Sequence, residues 1–324
     1  MALAALTRSA FALHGVARGP MLSTLIFHRV HAQPDSLFPG EPDALRFTRL
    51  MEFVASAFRV MSLGEALDAL ENGRLPTRSL VITFDDGYAD NVEVAMPIMR
   101  KVGVPGTFFV STGFLDGGRM WNDTVIECIR RSELREIDLE SLGCGRVSLQ
   151  TMEDRRKAIG AILLKLKYLG LAERDQAVAR VQEAAAPGGL PQDLMMTTAQ
   201  VRELHDSGME IGAHTVRHPI LASIPVDEAE REIREGRDRL QQIVGRPIDV
   251  FAYPNGKPER DYRAEHVALV RRLGFRGAVT TAPGVAAAGD DRFQIPRYTP
   301  WGNSLAAWSA RLFDNLKMRD FARV

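Results

Sequence analysis

The 324-residue sequence carries no excess of charge of either sign. Lysine and arginine together number 41, as do aspartate and glutamate, so the formal net charge at pH 7 is zero. Proteins that bind a polyanion usually carry a basic excess, because it raises the local concentration of the ligand. This balance therefore argues against nucleic acid as a partner.

Cysteine is scarce and long apolar runs are missing. Cys128 and Cys144 lack the spacing of a zinc or redox motif, and we expect free thiols rather than a disulfide. No segment reaches the ~18 apolar residues of a membrane-spanning helix, and no export signal is evident. Residues 1–19 either pack as a loose terminal helix or form an amphipathic one with a peripheral membrane contact. We therefore expect a location in the cytoplasm or at the inner face of the membrane.

What the sequence does contain is an alternation of short apolar segments with helical patterns. A hydrophobic content of 45% is ample for a large core. Strand followed by helix, repeated, predicts an α/β fold with a parallel sheet under helical cover, and a distorted (β/α) barrel fits the number of strands. The predicted strands are 22–27, 79–84, 106–110, 209–213, 248–252 and 274–280.

Residues 119–195 break this alternation. They hold long helical patterns at 152–169 and 172–186, with little strand character. We interpret this stretch as a helical insertion between two barrel strands that forms a lid or a wall of a cleft. The predicted organisation is an N-terminal tail or short helix at 1–19, a barrel with its insertion at 20–300, and a C-terminal helix at 301–324.

Two acids and two imidazoles stand at predicted strand ends. Asp85 and Asp86 follow the strand at 79–84, where buried acids are costly unless they are paired or bind a metal. A pair of helix-capping acids is the alternative. His214 ends another strand and His218 lies four residues on, close enough to hold one ion. Carboxylate and imidazole together suit zinc, and cobalt or nickel would suit the same ligands.

Four clusters together resemble the polysaccharide deacetylases of carbohydrate esterase family 4, the NodB-homology fold. They are Thr-Phe-Asp-Asp-Gly-Tyr at 83–88, His-x-x-x-His at 214–218, Phe-Ala-Tyr-Pro-Asn-Gly at 251–256, and His28 with Arg29. The resemblance covers about residues 20–300, with a gap near 119–195. It implies a metal-dependent hydrolase that removes N-acetyl groups from amino sugars of a polysaccharide or its precursor.

The resemblance also implies roles for individual residues. Asp85 would be the general base that takes a proton from water, and Asp86 would bind the metal with His214 and His218. The backbone N–H of Tyr253 would stabilise the oxyanion and contact the substrate. One divalent metal, zinc first, is therefore expected.

Two parts of the family pattern are missing. The third motif usually opens with an arginine that orients the base, but Phe251 stands there. We expect Arg297 to supply this cation, with a surface position as the alternative. The C-terminal Leu-x-His motif, which carries the general acid, is absent, and His266 falls in a helical pattern expected to face water. His28 is the candidate acid instead, because barrel closure would bring the first strand beside the last. This arrangement resembles a rearranged subgroup of the family.

Trp121 begins the insertion, where it would either stack on a sugar ring or anchor the insertion to the barrel. Fold and motif do not separate N-deacetylation from O-acetyl ester or small-amide hydrolysis. A non-catalytic carbohydrate-binding or assembly protein with a vestigial metal site is a third alternative. The four intact acids and imidazoles argue against it, and the missing arginine argues weakly for it.

Overall fold

The computed structural model describes residues 2–300, 302 and 304–324. Residue 1 of the predicted tail and residues 301 and 303 of the predicted C-terminal segment lie outside the described residues. The strands are β1 (Leu22–Phe27), β2 (Arg59–Met61), β3 (Ser79–Phe84), β4 (Thr107–Val110), β5 (Glu136–Leu139), β6 (Gly145–Ser148), β7 (Glu210–Ala213), β8 (Val250–Ala252) and β9 (Gly277–Val279).

The α-helices lie mostly where the helical patterns predict them. The helical segment that follows the two acids begins with a π-helical turn at Asn91–Ala95, and an α-helix continues it. The helices are α1 (Ala2–Arg18), α2 (Ala44–Ala57), α3 (Leu63–Glu71), α4 (Met96–Val102), α5 (Trp121–Arg131), α6 (Met152–Leu166), α7 (Leu171–Ala185), α8 (Thr198–Asp206), α9 (Val226–Val244), α10 (Ala264–Arg272) and α11 (Leu305–Asn315).

Seven strands form one parallel sheet in the order β1-β3-β4-β7-β8-β9, with the short β2 also paired to β3. The register of β1 against β3 runs from Leu22 opposite Ser79 to Phe27 opposite Phe84. Both strands therefore end at the same level, and the residues that follow them emerge at one edge of the sheet. β2, which the sequence analysis missed, has only three residues.

The sheet curls into a barrel-type fold, as predicted, and a C-terminal segment bridges its two edges. Ile295 pairs with Val279 of β9, and Tyr298 pairs with Leu25 of β1. Arg297 lies between these two bridging residues. The closing segment thus carries Arg297 to the strand ends where the acids lie.

The central strands are buried on both faces, which explains why they read as continuous apolar runs. In β3, Leu80, Ile82 and Phe84 pack into the cluster that includes residues of α2 and α4. Val81 points the other way, into a cluster that includes residues of α3. All six residues of β3 are buried.

The insertion has a hydrophobic cluster of its own, built from α5, α6, α7 and an antiparallel β5–β6 hairpin. The hairpin shows that the expectation of little strand character in residues 119–195 was wrong. Its first strand alternates Glu136 and Asp138, which are exposed, with Ile137 and Leu139, which are buried. Four residues are too few for such an alternation to stand out from a helical pattern. Cys128 and Cys144 are free, as expected.

α1 packs against α2 and α11. Phe11 is buried there, with its ring 4.8 Å from that of Phe58. Leu6, Leu13 and Val16 remain exposed. Among the described residues, no helix is both long and apolar enough to cross a membrane. The peripheral membrane contact and the cellular location stay predictions.

Candidate active site

A cleft of about 640 Å³ opens at the carboxyl ends of the parallel strands. The strand-end residues His28, Asp85, Asp86, His214 and His218 line one side of it. The insertion contributes the opposite wall, including Trp121, Leu163 and Arg174. The fold therefore brings the sequence-predicted acids and imidazoles together and sets the insertion over them.

Asp86, His214 and His218 form a compact group in which all ligand atoms lie within 4.8 Å of one another. Nε2 of His214 is 3.4 Å from Oδ1 of Asp86, and Nε2 of His218 is 3.5 Å from the same oxygen. Nδ1 of His214 lies 2.8 Å from the carbonyl oxygen of Ala252, which can only accept. Nδ1 of His214 therefore carries a proton, and Nε2 is the ring atom that faces the group and would bind a metal.

This group fits a divalent metal ion. Oδ1 of Asp86 is buried and has no hydrogen-bond partner among the described residues, a costly state for a carboxylate oxygen. Burial lowers the pKa of His218 to about 3, so its imidazole is neutral at pH 7. A carboxylate and two neutral imidazoles are the ligand set that zinc takes in hydrolases, with positions left for water and substrate.

A buried acid on α9 holds the histidine loop. Oε2 of Glu232 accepts the backbone N–H groups of Val216 at 3.0 Å and Arg217 at 2.8 Å. Thr215 and His218 both have positive φ angles, 65° and 54°, and the backbone N–H of His218 donates to Oγ1 of Thr215. Such left-handed residues persist where surrounding bonds fix them. Glu232 was not predicted, because its position in α9 reads as an ordinary helical charge.

Asp85 is bound by the guanidinium of Arg297 through two hydrogen bonds of 2.6 and 2.7 Å. Arg297 is only 1% exposed, so the surface alternative is wrong. Burial alone would raise the pKa of Asp85, but the guanidinium of Arg297 lowers it below its usual value. Asp85 is therefore ionised at neutral pH, 4.0 Å from Nε2 of His214.

His28 follows β1 and is exposed at the cleft. It lines the same cleft as Asp85, Asp86 and His218. Nδ2 of Asn91, in the π-helical turn, donates to the backbone carbonyl of His28 at 2.9 Å. The turn thus ties the end of β1 to the segment that follows the two acids.

Arg29, the neighbour of His28, pairs with Asp90 at 2.8 Å and lies over the ring of Tyr88 at 4.9 Å. The expectation for His266 is wrong. It is 1% exposed, its Nδ1 accepts the backbone N–H of Arg263, and it is not among the residues that line the cleft. The face of α10 that carries it packs inward rather than towards water.

The assignment of Tyr253 is also wrong. Its backbone N–H donates to the carbonyl of Val279 at 3.2 Å, and its buried ring stacks on Tyr262 at 4.0 Å. Sheet hydrogen bonding continues one residue past β8, so this N–H is already in use. Asn255, two residues on, lines the cleft with φ of 60°, and its N–H donates to no described residue. Asn255 replaces Tyr253 as the candidate oxyanion donor and substrate contact.

Trp121 lies in both environments that the sequence analysis proposed. It lines the cleft and packs against the cluster of the insertion. The guanidinium of Arg174 lies 5.0 Å above its ring.

Asp123 is a cleft residue that the sequence analysis missed. Its Oδ1 accepts from the hydroxyl of Tyr88 at 3.1 Å, while Oδ2 is buried with no partner among the described residues. Burial raises the pKa of Asp123 to about 7, although Arg29 opposes this. In the sequence it is an acid in the first turn of a helix, which is a common structural position.

A family model described as polysaccharide deacetylase matches residues 72–157 and 176–278. The match covers more than half of the chain and takes in both acids and both histidines of the site. The break in it falls within the insertion. The chain therefore belongs to the polysaccharide deacetylase family.

The curated relatives are distant. The protein YxkH of Bacillus subtilis (strain 168), named for the same family, is 19% identical over 243 residues, which is 75% of this chain and 59% of the relative. The poly-β-1,6-N-acetyl-D-glucosamine N-deacetylase of Staphylococcus aureus (strain N315) is 33% identical over 79 residues, 24% of this chain and 26% of that protein. The chain thus spans less than two thirds of the length of these relatives.

Solved structures share the fold over most of the chain. The deacetylase PplD of Streptococcus pyogenes, in complex with acetate, has a TM-score of 0.60 at 20% identity, covering 91% of this chain and 98% of PplD. IcaB from Ammonifex degensii has a TM-score of 0.58 at 19% identity, covering 91% and 97%. These likenesses establish the architecture, a distorted barrel of the deacetylase type.

Proposed function

We propose that this chain removes N-acetyl groups from amino sugars of a polysaccharide or its precursor in a metal-dependent hydrolysis. The observation that carries the proposal is an ionised Asp85 beside a partnerless Asp86 oxygen and two imidazoles. Membership of the family supports the reaction class. The match to an N-deacetylase of poly-β-1,6-N-acetyl-D-glucosamine, although short, supports N-acetyl sugar as the substrate.

Asp86, His214 and His218 would hold the ion, zinc being the first candidate. A divalent ion bound at this position would lower the pKa of a water molecule and polarise a carbonyl group. Burial keeps the imidazole of His218 neutral. The hydrogen bond that Nδ1 of His214 donates to the carbonyl of Ala252 keeps Nε2 turned towards the metal position.

Asp85 is the proposed general base. Arg297 binds both carboxylate oxygens and keeps the group charged and fixed in orientation. Each carboxylate oxygen has a further lone pair, so Asp85 can still accept a proton from the attacking water. A positioned base contributes typically ~10²–10⁴-fold to the rate.

His28 is the proposed general acid, and the backbone N–H of Asn255 the proposed oxyanion donor. The amine that leaves an amide must be protonated, because an amide anion is too basic to depart. The imidazole of His28 is exposed at the cleft beside Asp85 and Asp86, where it can donate a proton to the leaving amine. A backbone N–H aimed at a developing negative charge lowers the barrier without having to reorganise.

The test is acetate release by zinc-replete protein from chitotetraose and from acetylated xylan. We expect release from the N-acetylated substrate, loss after chelation, and recovery with zinc. Release from xylan alone would make the chain an ester hydrolase, and no release from either substrate would contradict a deacetylase.

Metal content tests the ligands separately. His214→Ala should lose the stoichiometric metal, whereas His205→Ala, a half-exposed histidine of α8 outside the cleft, should keep it. Full metal in His214→Ala protein would contradict the ligand set.

A further inference from the structure

Arg174 is a buried cation that has no counter-ion in the described part of the chain. It projects from α7, is 5% exposed, and its guanidinium makes no ion pair or hydrogen bond with any described residue. Its nearest charges are Asp175, which is exposed, and Arg217, which is repulsive. An unpaired charge in such a place is unfavourable, and burial accordingly lowers the pKa of Arg174. A structural role alone gives no reason to keep it charged.

The surroundings of Arg174 belong to the cleft. It lines the same cavity as the proposed metal ligands, and its guanidinium lies above Trp121. That stacking is worth less than the desolvation of an unpaired charge. The planar face of Arg174 is taken up by the indole, while its N–H groups have no hydrogen-bond partner among the described residues.

Two more cations that line the cleft have no paired acid among the described residues. Lys167 is half-buried and Lys257 is exposed, and neither forms an ion pair within the described part of the chain. Asp261 is the acid near Lys167. Its carboxylate instead accepts the backbone N–H of Lys257 at 3.0 Å and the hydroxyl of Tyr168 at 3.4 Å.

The other charged residues of the cleft are largely compensated. Two acids are exceptions: Asp86 belongs to the proposed metal site, and Asp123 lies on the side of Tyr88 and Arg29. The compensated pairs are Arg29 with Asp90, Arg130 with Asp35, Asp85 with Arg297, and Glu41 with His31. Three cations that line the cleft, Arg174, Lys167 and Lys257, are therefore left without a paired acid among the described residues, although the formal net charge of the chain is zero.

We propose that the substrate is an acidic glycan, whose carboxylate or phosphate group binds Arg174 while a neighbouring sugar ring packs on Trp121. The proposal rests on the deacetylase function above and names its substrate class. A guanidinium presents two parallel N–H donors that match either anion. An aromatic face beside it suits the apolar side of a pyranose ring.

The test is calorimetric binding to zinc-replete Asp85→Asn protein, which should leave the ligand uncleaved. The ligands are heparosan tetrasaccharide, which alternates glucuronate with N-acetylglucosamine, uncharged chitotetraose, and UDP-N-acetylglucosamine as the phosphate arm. We expect an acidic ligand to bind about 10- to 100-fold more tightly than the neutral one. Which of the two acidic ligands shows the preference identifies carboxylate or phosphate as the anion.

Arg174→Gln in the same background should abolish this preference, and Arg174→Lys should keep part of it. Arg180→Gln, an exposed arginine on the same helix, is the matched control and should keep all of it. Equal binding of all three ligands, or a preference that survives Arg174→Gln, would overturn the proposal.

Two further readouts guard against a folding defect. The melting temperature of Arg174→Gln should be no lower than that of the parent, because an unpaired buried charge has been removed; a clear drop would indicate a structural anchor instead. In the parent protein, which keeps Arg174, the preference for acidic over neutral ligands should fall as the salt concentration rises from 50 to 500 mM. A preference that does not depend on salt would contradict the proposal. An intact preference with no acetate released by the wild type would refute the deacetylase function while leaving the anion site standing.

Discussion

Removing Arg297 should destabilise the fold far more than removing a surface arginine. In Arg297→Met, Asp85 stays buried, at 3% exposure, without its cation. Breaking a buried ion pair from one side costs about 3–5 kcal/mol. The hydrogen bond from Nε of Arg297 to the carbonyl of Thr280, 2.8 Å long, is lost as well, for about 1 kcal/mol. The expected loss is therefore about 4 kcal/mol or more.

The double variant Asp85→Asn with Arg297→Met separates these terms. It removes the uncompensated carboxylate, so its cost should be smaller than that of Arg297→Met alone. Arg292→Met is the matched control, because Arg292 pairs with Glu71 at 2.6 Å but both side chains are well exposed, at 40% and 58%. Exposed pairs contribute about 0–1 kcal/mol.

The assay is urea unfolding at pH 7 in a chelator, so that metal loss does not enter the comparison. The reasoning is refuted if Arg297→Met costs no more than Arg292→Met. It is equally refuted if the double variant loses as much as the two single variants added together.

The remaining predictions concern a proton donor and a pH-dependent stability. His28→Ala should lose far more activity on an N-acetyl sugar than on an aryl acetate, whose leaving group departs unprotonated; equal losses at full metal content would exclude His28 as the acid. Asp123 has a pKa raised to about 7, so the folded state keeps a proton that the unfolded state releases above about pH 4. Its contribution to stability therefore falls as pH rises from about 4 to 7, by up to ~4 kcal/mol. Asp123→Asn should flatten the fall in melting temperature of metal-free protein between pH 5 and 8, and an unchanged pH dependence would contradict this origin.

The elements best predicted from sequence are those whose environment leaves a one-dimensional pattern. β1 and β3 match their predicted bounds at 22–27 and 79–84 because strands buried on both faces are unbroken apolar runs. The predicted ends of the strands at 79–84 and 209–213 then indicated that the two acids and His214 lie at one edge of the sheet. Arg297 was proposed as the cation missing from the third motif, and the closing segment of the barrel brings it to Asp85.

The errors come from features without such a pattern. Tyr253 and Asn255 differ by two residues in one turn, and only the hydrogen bond from Tyr253 to Val279 tells which N–H is free. The buried face of α10 depends on which neighbours pack on it, so His266 looked like a surface residue. The positions of Arg174 and Asp123 in the cleft depend on how the insertion packs against the barrel. This long-range packing cannot be predicted from the local sequence.

The central claim is that an ionised Asp85 beside a metal held by Asp86, His214 and His218 carries out the hydrolysis. The most direct measurement is acetate release from an N-acetylated oligosaccharide by zinc-replete Asp85→Asn and wild-type proteins, with bound metal and melting temperature determined on the same samples. We expect the variant to remain folded, to keep its metal and to lose about 10²–10⁴-fold in rate, since an amide cannot accept the proton of water. Activity within about threefold of the wild type, with the metal still bound, would contradict the account.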